Sequence, residues 1–370
     1  MKIGLNATCF NERPSGAKQR LLGLYLPTIR AMADVKFIVY LAGDVDTSFW
    51  FEELNNVSIR RTPIRSEGRW GRIISGLAYW PKALLQDRVD LFEGFHLPPI
   101  GNPSGKTLLT IHDVRGVHAH TQYSNKPLYQ MVLKRSVLRS DVIITVSDTM
   151  RQEILSLFPN ARIKRIYNGI DVHMFDRVNE NDVEQYVLER QLPSDFLLSI
   201  GHYEIRKNYS RLIDAIALLK TRGFSIPLVI AGNDSGQYDK LQRKVVEAGL
   251  ESQIILLKNL NDQEIRLLYR ACRMFIFPSA YEGFGIPLLE AMAAGKPFLL
   301  SDIAVFRELS ENKGSYFRYD DIGAMAQGIE ALAGSHNEQE RLIKYGGTRV
   351  TDFSYENLSQ ELISLYQSQI

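Results

Sequence analysis

The stretch Glu282-Gly-Phe-Gly-Ile-Pro-Leu-Leu-Glu290 decides how this chain of 370 residues is read. An apolar run, 274–278, precedes it and a small-residue segment, 291–295, follows. A strand should stop there, and the backbone should open around Gly283 and Gly285. A helix should then begin near Pro287, where proline's fixed φ and missing donor cost nothing. The N–H groups at such a helix start form a ready anion site. Glu282 and Glu290 stand on either side, able to accept hydrogen bonds from hydroxyls. As an acid/base pair across one scissile bond, two carboxyls need separations of about 5–9.5 Å. Eight helical positions span about 12 Å, and a looser turn lengthens that. The spacing therefore suits two ends of one elongated ligand. The plain alternative is a helix start with incidental glutamates.

Working outward, short apolar runs alternate with amphipathic stretches, the pattern of βα units around parallel sheets. In the first half, strands are expected over 2–6, 37–41, 57–62, 91–93, 107–112, 142–146 and 163–167. Ser147-Asp148-Thr149 opens a capped helix over 147–158. Residues 176–193 are polar, with a short helix-like segment, and read as a linker. A second α/β unit follows, with strands over 196–200, 228–231, 254–257, 274–277 and 298–301. Its helices are expected over 210–222, 238–248, 262–271, 287–294 and 322–333. A last helix, 355–366, carries Leu358, Leu362 and Leu365 on one face. The expected division is 1–175, linker 176–193, 194–354, and a helical tail 355–370. Doubly wound sheets bind ligands beyond their strand C-termini, and two such domains facing each other would make a cleft.

Composition sets bounds. Apolar content of 45% and charged content of 23% are those of an ordinary globular protein. A net charge of +2 gives no reason to invoke nucleic acid. Cys9 and Cys272 are too few for a disulfide framework or a cysteine metal site. The opening Met1-Lys-Ile-Gly-Leu-Asn-Ala reads as a strand rather than a leader, and no run of about 18 apolar residues exists to span a bilayer.

Several groups could carry chemistry. Gly201-His-Tyr-Glu-Ile-Arg206-Lys207-Asn208 follows a strand and precedes a helix. Its adjacent cations suit a diphosphate, arginine as a fork of donors and lysine as a point charge; a solvated helix start is the plain alternative. His112-Asp113 closes the strand 107–112, where such a domain displays its ligands, although a strand-end histidine can be purely structural. Gly16, in Pro14-Ser15-Gly16-Ala17, marks the turn after the first strand. Asp44-Val-Asp46 has the form of a metal pair but sits in a polar loop with nothing to cradle a diphosphate. His96 is a weaker candidate still. His118 and His120 stand two apart, yet no third zinc ligand is evident. Arg60, Arg61, Arg65, Arg69 and Arg72 surround Trp70, with Ile73, Ile74, Leu77, Trp80 and Lys82 following. That stretch fits an anionic membrane surface or a solvated helix face.

The segment 282–290 resembles the Glu-x7-Glu motif of retaining glycosyltransferases of family 4. Their fold is GT-B, two Rossmann-like doubly wound α/β domains facing an interdomain cleft. The likeness covers nearly the whole chain and is weaker over 45–90. It implies that Glu282 holds the hydroxyls of a transferred hexose and Glu290 the ribose diol. The backbone of Gly283, Phe284, Gly285, Ile286, Pro287 and Leu288 would meet sugar and diphosphate. Lys207 matches the family's lysine, and Arg206 takes the place of an arginine that relatives carry directly after the glycine, where His202 stands here. His112 would reach the sugar near its 6-hydroxyl, Gly16 would approach the donor phosphate, and the tail 355–370 would cross back onto the N-terminal domain. The form of these motifs resembles bacterial mannosyltransferases of polysaccharide assembly. It implies a nucleotide-sugar donor, GDP-mannose, and a glycan or polyprenyl-diphosphate-linked saccharide acceptor. No metal or cofactor is expected, and the location implied is cytoplasmic, at the inner face of the plasma membrane. A UDP-hexose or UDP-N-acetylhexosamine donor is the alternative, with the loop 258–261 as the place of base selection. Of other classes, a silent nucleotide-sugar-binding subunit stays open. A nicotinamide-dependent oxidoreductase lacks its Gly-x-Gly-x-x-Gly fingerprint.

Overall fold

The computed structural model describes residues 1–11, 16–95, 97, 101–117 and 126–369, without the side chains of residues 69–73, 77 and 126. The chain forms two compact units: one holds residues up to Gly169 and again from Ser354, the other Ile170–Phe353.

The first unit is built on seven strands: β1 (Lys2–Asn6), β2 (Lys36–Leu41), β3 (Val57–Arg61), β4 (Leu91–Gly94), β5 (Lys106–Ile111), β6 (Val142–Thr145) and β7 (Ile163–Arg165). All pair in parallel in the order β3-β2-β1-β4-β5-β6-β7. Continuous apolar runs form the inner strands because both faces are covered. After β1 come α1 (Gly16–Arg20), a π-helical turn Leu21–Tyr25 and α2 (Leu26–Ala31); α3 (Arg69–Asp87), α4 (Lys126–Arg139) and α5 (Asp148–Leu157) follow later. Ser147 caps α5 by accepting from the Met150 N–H at 3.0 Å. One core gathers Leu5, Leu24, Ile29, Val39 and Leu91. A second gathers Tyr40, Trp80, Leu84 and Phe92. Trp80, which the sequence groups with a basic surface stretch, is thus a core residue, 2% exposed.

The second unit repeats the plan with β8 (Leu197–Ile200), β9 (Leu228–Ala231), β10 (Ile254–Leu257), β11 (Met274–Phe277), β12 (Phe298–Ser301) and β13 (Ser315–Phe317), in the order β10-β9-β8-β11-β12-β13. Its helices are α6 (Glu180–Glu189), α7 (Tyr209–Lys220), α8 (Tyr238–Glu247), α9 (Asp262–Ala271), α10 (Ile286–Ala293), α11 (Ala304–Leu309), α12 (Ile322–Gly334) and α13 (His336–Arg349). In each sheet the winding reverses once, between β1 and β4 and between β8 and β11. Ligands of doubly wound sheets sit outside the strand C-termini at that reversal.

Residues 176–193 are not a spacer. Val183 and Tyr186 of α6 are buried, and ion pairs tie this stretch to α9 through Arg190–Glu264 and Arg270–Glu180. Its polar sequence is the solvated outer face of a packed helix. From Ser354 the chain rejoins the first unit as α14 (Tyr355–Ser368), whose Leu358, Leu362, Leu365 and Tyr366 enter that unit's core. Among the described residues, no helix is long and apolar enough to cross a membrane.

Candidate active site

Strands β8 and β11 lie side by side, and the loops leaving their C-terminal ends supply one charged cluster. Past β8, Ile205–Lys207 forms a short 3-10 turn. Asn208 ends it in the left-handed region at φ 61 and donates from Nδ2 to the Tyr319 carbonyl at 2.7 Å. Past β11 comes Glu282. Arg206 Nη1 reaches its Oε2 at 2.6 Å, Lys207 Nζ its Oε1 at 2.8 Å, and Ser279 Oγ donates to Oε1 at 2.8 Å. Arg206 Nε also pairs with Glu204 Oε2 at 2.7 Å, and its Nη1 donates to the Tyr281 carbonyl at 3.2 Å. The Ala280 N–H donates to the Arg206 carbonyl at 2.8 Å, joining the two loops through backbone. Lys207 is only 5% exposed, which is not a solvated helix start, and its ammonium lies 4.8 Å from the Phe277 ring centroid.

Two acids and two cations make this cluster neutral overall. Burial alone would raise the Glu282 carboxyl; Arg206 and Lys207, with the hydrogen bonds from Lys207 and Ser279, pull it down to about 2. Burial weakens the charged form of Lys207, and Glu282 only partly restores it. Burial opposes the Arg206 charge as well, but Glu282 and Glu204 hold it above its ordinary value. A carboxylate held so firmly ionised can accept hydrogen bonds; it cannot serve as a proton donor near neutral pH.

Gly285 stands at φ 126 before α10, the open turn expected from the sequence. Phe284 is buried, its ring against Phe353 at 6.0 Å between centroids. Leu288 is fully buried too, so both side chains pack and only their backbone can face a ligand. Ile286 and Pro287 form the first turn of α10 and are half-buried, and Gly283 is buried. Glu290, 7% exposed, has Oε2 2.9 Å from the Tyr269 hydroxyl, which also lies 3.1 Å from the Pro287 carbonyl oxygen.

His112 and Gly16 belong to the first unit. Gly16 opens α1, and His112 is the first residue beyond β5. Burial, reinforced by the charge of Arg20, pulls the His112 imidazole down to about 3, leaving a neutral ring at physiological pH. Asp44 and Asp46 are engaged locally: Asp44 accepts from the Ser66 N–H at 2.7 Å, and Asp46 pairs with Arg61 at 2.5 Å. Among the described residues, no group of three or more His, Cys, Asp or Glu could hold a metal ion. Pro14, Ser15, His96, His118 and His120 lie outside the described residues, as do the side chains of Arg69, Trp70, Arg72, Ile73 and Leu77. Arg60 pairs with Asp87 at 3.1 Å and Arg65 with Asp44 at 3.6 Å, so part of the basic stretch is neutralised.

Sequence reasoning missed Glu204, Ser279 and Tyr269. Glu204 lay in view two residues before Arg206. Ser279 and Tyr269 gain their roles only when the loops after β8 and β11, and α9 and α10, come together.

Comparison with known proteins agrees with this architecture. The family model "Glycosyltransferase Family 4" matches residues 29–173, and "Glycosyl transferases group 1" matches residues 174–349. The O-antigen chain mannosyltransferase B of Escherichia coli is 30% identical over 71% of this chain and 70% of its own. The GDP-mannose:cellobiosyl-diphosphopolyprenol alpha-mannosyltransferase of Xanthomonas campestris is 28% identical over 58% of this chain and 55% of its own. Among solved structures, Anabaena HepE in complex with UDP and glucose superimposes with a TM-score of 0.76 at 18% identity, covering 100% of both chains. Two parallel sheets of one winding, the charged cluster at the second reversal and the matched models lead to one conclusion: this chain belongs to glycosyltransferase family 4 and is a glycosyltransferase of the GT-B fold.

Proposed function

We propose that the protein is a retaining hexosyltransferase that moves mannose from GDP-mannose onto a glycan or polyprenyl-diphosphate-linked saccharide. The observation that carries this reading is the convergence of Arg206 and Lys207 on Glu282 at the reversal of the second sheet. Each cation has more donors than Glu282 engages, and these would hold the diphosphate, whose charge grows as the glycosidic bond breaks. Glu282 accepts from the hexose hydroxyls, Glu290 from the ribose diol, and the backbone of 283–288 meets sugar and phosphate. Neutral His112 donates to the sugar, with Gly16 beside the donor phosphate. In the proposed step the acceptor oxygen bonds to the anomeric carbon on the face the nucleoside diphosphate is leaving. The bond to the phosphate oxygen breaks with its electron pair, and that oxygen takes the acceptor's proton. A firmly ionised Glu282 and a neutral His112 support a route in which the leaving group is the base. No metal enters it.

Mannose and guanine are supported by the names of the two enzymes matched in sequence. The test is release of nucleoside diphosphate from GDP-mannose, UDP-glucose and UDP-N-acetylglucosamine in a metal chelator, followed by anomeric analysis of the transferred sugar. Retained configuration with GDP-mannose is expected. Turnover of a UDP-sugar alone would reassign the donor, an inverted product would end the retaining mechanism, and loss of turnover to the chelator would end metal independence.

We also infer that the first unit meets an anionic membrane surface. Helix α4 contains no acid, and its Met131 and Leu138, 48% and 72% exposed, alternate with exposed Lys134, Arg135 and Arg139. On α3, Ile74 and Leu85 are 68% and 61% exposed beside exposed Lys82. Cosedimentation with acidic vesicles and not with neutral ones is expected; equal recovery with both would defeat the inference.

A further inference from the structure

Glu93 on β4 is fully buried and has no part in the transfer as proposed. Three hydroxyls converge on it from separate elements. The Tyr25 hydroxyl donates to Oε1 at 2.5 Å, Thr110 Oγ1 to Oε1 at 2.7 Å, and the Tyr366 hydroxyl to Oε2 at 2.6 Å. Tyr25 closes the π-helical turn, Thr110 is the penultimate residue of β5, and Tyr366 belongs to α14. Arg20 sits five residues before Tyr25, one π turn away. It lies 5.9 Å from the Tyr25 ring centroid and donates from Nη1 to the carbonyls of Ile166 and Tyr167 and to Asn168 Oδ1. Among the described residues its Nε and Nη2 have no hydrogen-bond partner, and burial pushes the Glu93 carboxyl above its ordinary value against the pull of the three hydroxyls and of the Arg20 charge. A buried carboxylate with this many donors is expensive to assemble unless each is retained.

The location gives the network a use. β4 and β5 are neighbours, and Thr110 lies near the C-terminal end of β5, the side on which a doubly wound sheet takes ligands. His112 follows Thr110 by two positions, one residue past the end of β5, so a shift of the Thr110 backbone is passed to it directly along the chain. The same Arg20 charge is felt by Glu93 and by His112.

We propose that Glu93 is a positioning residue for the transfer: it clamps Thr110 and so orients His112, and it does this only while Tyr366 of the C-terminal helix is hydrogen-bonded to it. The proposal rests on the part given to His112 above. It makes the last helix a component of the reaction centre of its unit as well as a cover for its core.

The experiment uses Thr110→Val and Tyr366→Phe, each removing a hydroxyl with little change of shape, in the full chain with GDP-mannose. Each should lower kcat about tenfold while KM for the donor stays within about twofold, the signature of a misplaced group rather than of lost binding. In a His112→Ala background the same changes should alter kcat less than about twofold, because residues acting through one another are not additive. Full additivity, or a fall in melting temperature with kcat unchanged, would overturn the proposal and leave Glu93 a structural residue. A second readout needs no turnover. In protein labelled with 15N at its seven histidines, the His112 ring signal, identified by its loss in His112→Gln, should move in Tyr366→Phe while the others stay. A stationary signal overturns the clamp. Undiminished turnover in His112→Ala with a moving signal instead overturns the role of His112, and with it the use of the clamp in transfer.

Discussion

At Glu282, burial and pairing work against each other, and pairing wins. Its carboxyl is drawn from an ordinary 4.5 to about 2. The folded-state value is depressed, so the stabilisation is fully present above the unfolded value and lost as pH falls toward the folded one. The window runs from about 4.5 down to about 2, and the full shift is worth on the order of 3 kcal/mol. Denaturant titrations at pH 6 and pH 3 should therefore show a smaller loss of stability in Glu282→Gln than in the parent protein. Equal losses would mean that Arg206 and Lys207 do not hold the carboxylate as the distances indicate. Much of this site was legible in the sequence. Glu282, Glu290, Arg206 and Lys207 stand out because strand, open turn and helix start recur around them in fixed spacing. Glu204, Ser279 and Tyr269 were not legible, because their roles follow from β8 lying next to β11 and α9 next to α10, which no local pattern encodes. The burial of Lys207 was hidden for the same reason.

A strand-to-turn element can place a charge only if its backbone leaves room. Gly201, at φ 152, is such a point: a Cβ there would lie 2.7 Å from Lys207 Cε. The obstructed atom is the far end of a flexible side chain, so Gly201→Ala can relieve the contact by swinging the ammonium away from Glu282. Stability should fall modestly, by about 1–3 kcal/mol for the strained φ. Turnover should fall more, by about 10²-fold if Lys207 acts on charge that grows in the transition state. Steady-state kinetics beside a denaturation curve would check this; turnover that drops only in proportion to folded protein would remove the positional argument. Legibility at this scale divides by amphipathicity and length. The inner strands announce themselves as runs such as Met274–Phe277. β13 holds only Ser315-Tyr-Phe317 and was missed. So was α13, whose polar sequence includes Gly346 and Gly347 and whose buried residues are only Leu342 and Gly346. α6 shows in the sequence only as a short helix-like segment of a linker, because its two buried residues, Val183 and Tyr186, are too few to mark a period.

On the scale of the whole molecule, the chain order and the folding units do not coincide. The first unit is completed only by residues that follow the entire second unit. The stripe Leu358, Leu362, Leu365 shows in the sequence that α14 needs an apolar partner, and only the family resemblance assigns it to the N-terminal domain, as the structure finds; that surface is made by residues more than three hundred positions earlier, including Leu24 and Ile29. Leu358, Leu362, Leu365 and Tyr366 are between 0% and 6% exposed, and burial of each such side chain is worth about 1.5–3 kcal/mol. Together they approach the whole stability of a typical domain, about 5–15 kcal/mol. Deleting 355–370 should therefore abolish cooperative folding of the first unit, while the second keeps its six-stranded sheet and its charged cluster. Calorimetry of the shortened chain should show a single remaining transition, and GDP should raise it through mass action if that unit carries the nucleotide site. Loss of every transition would mean that the second unit does not fold without the first. An unchanged thermogram would mean that α14 contributes far less than its burial implies.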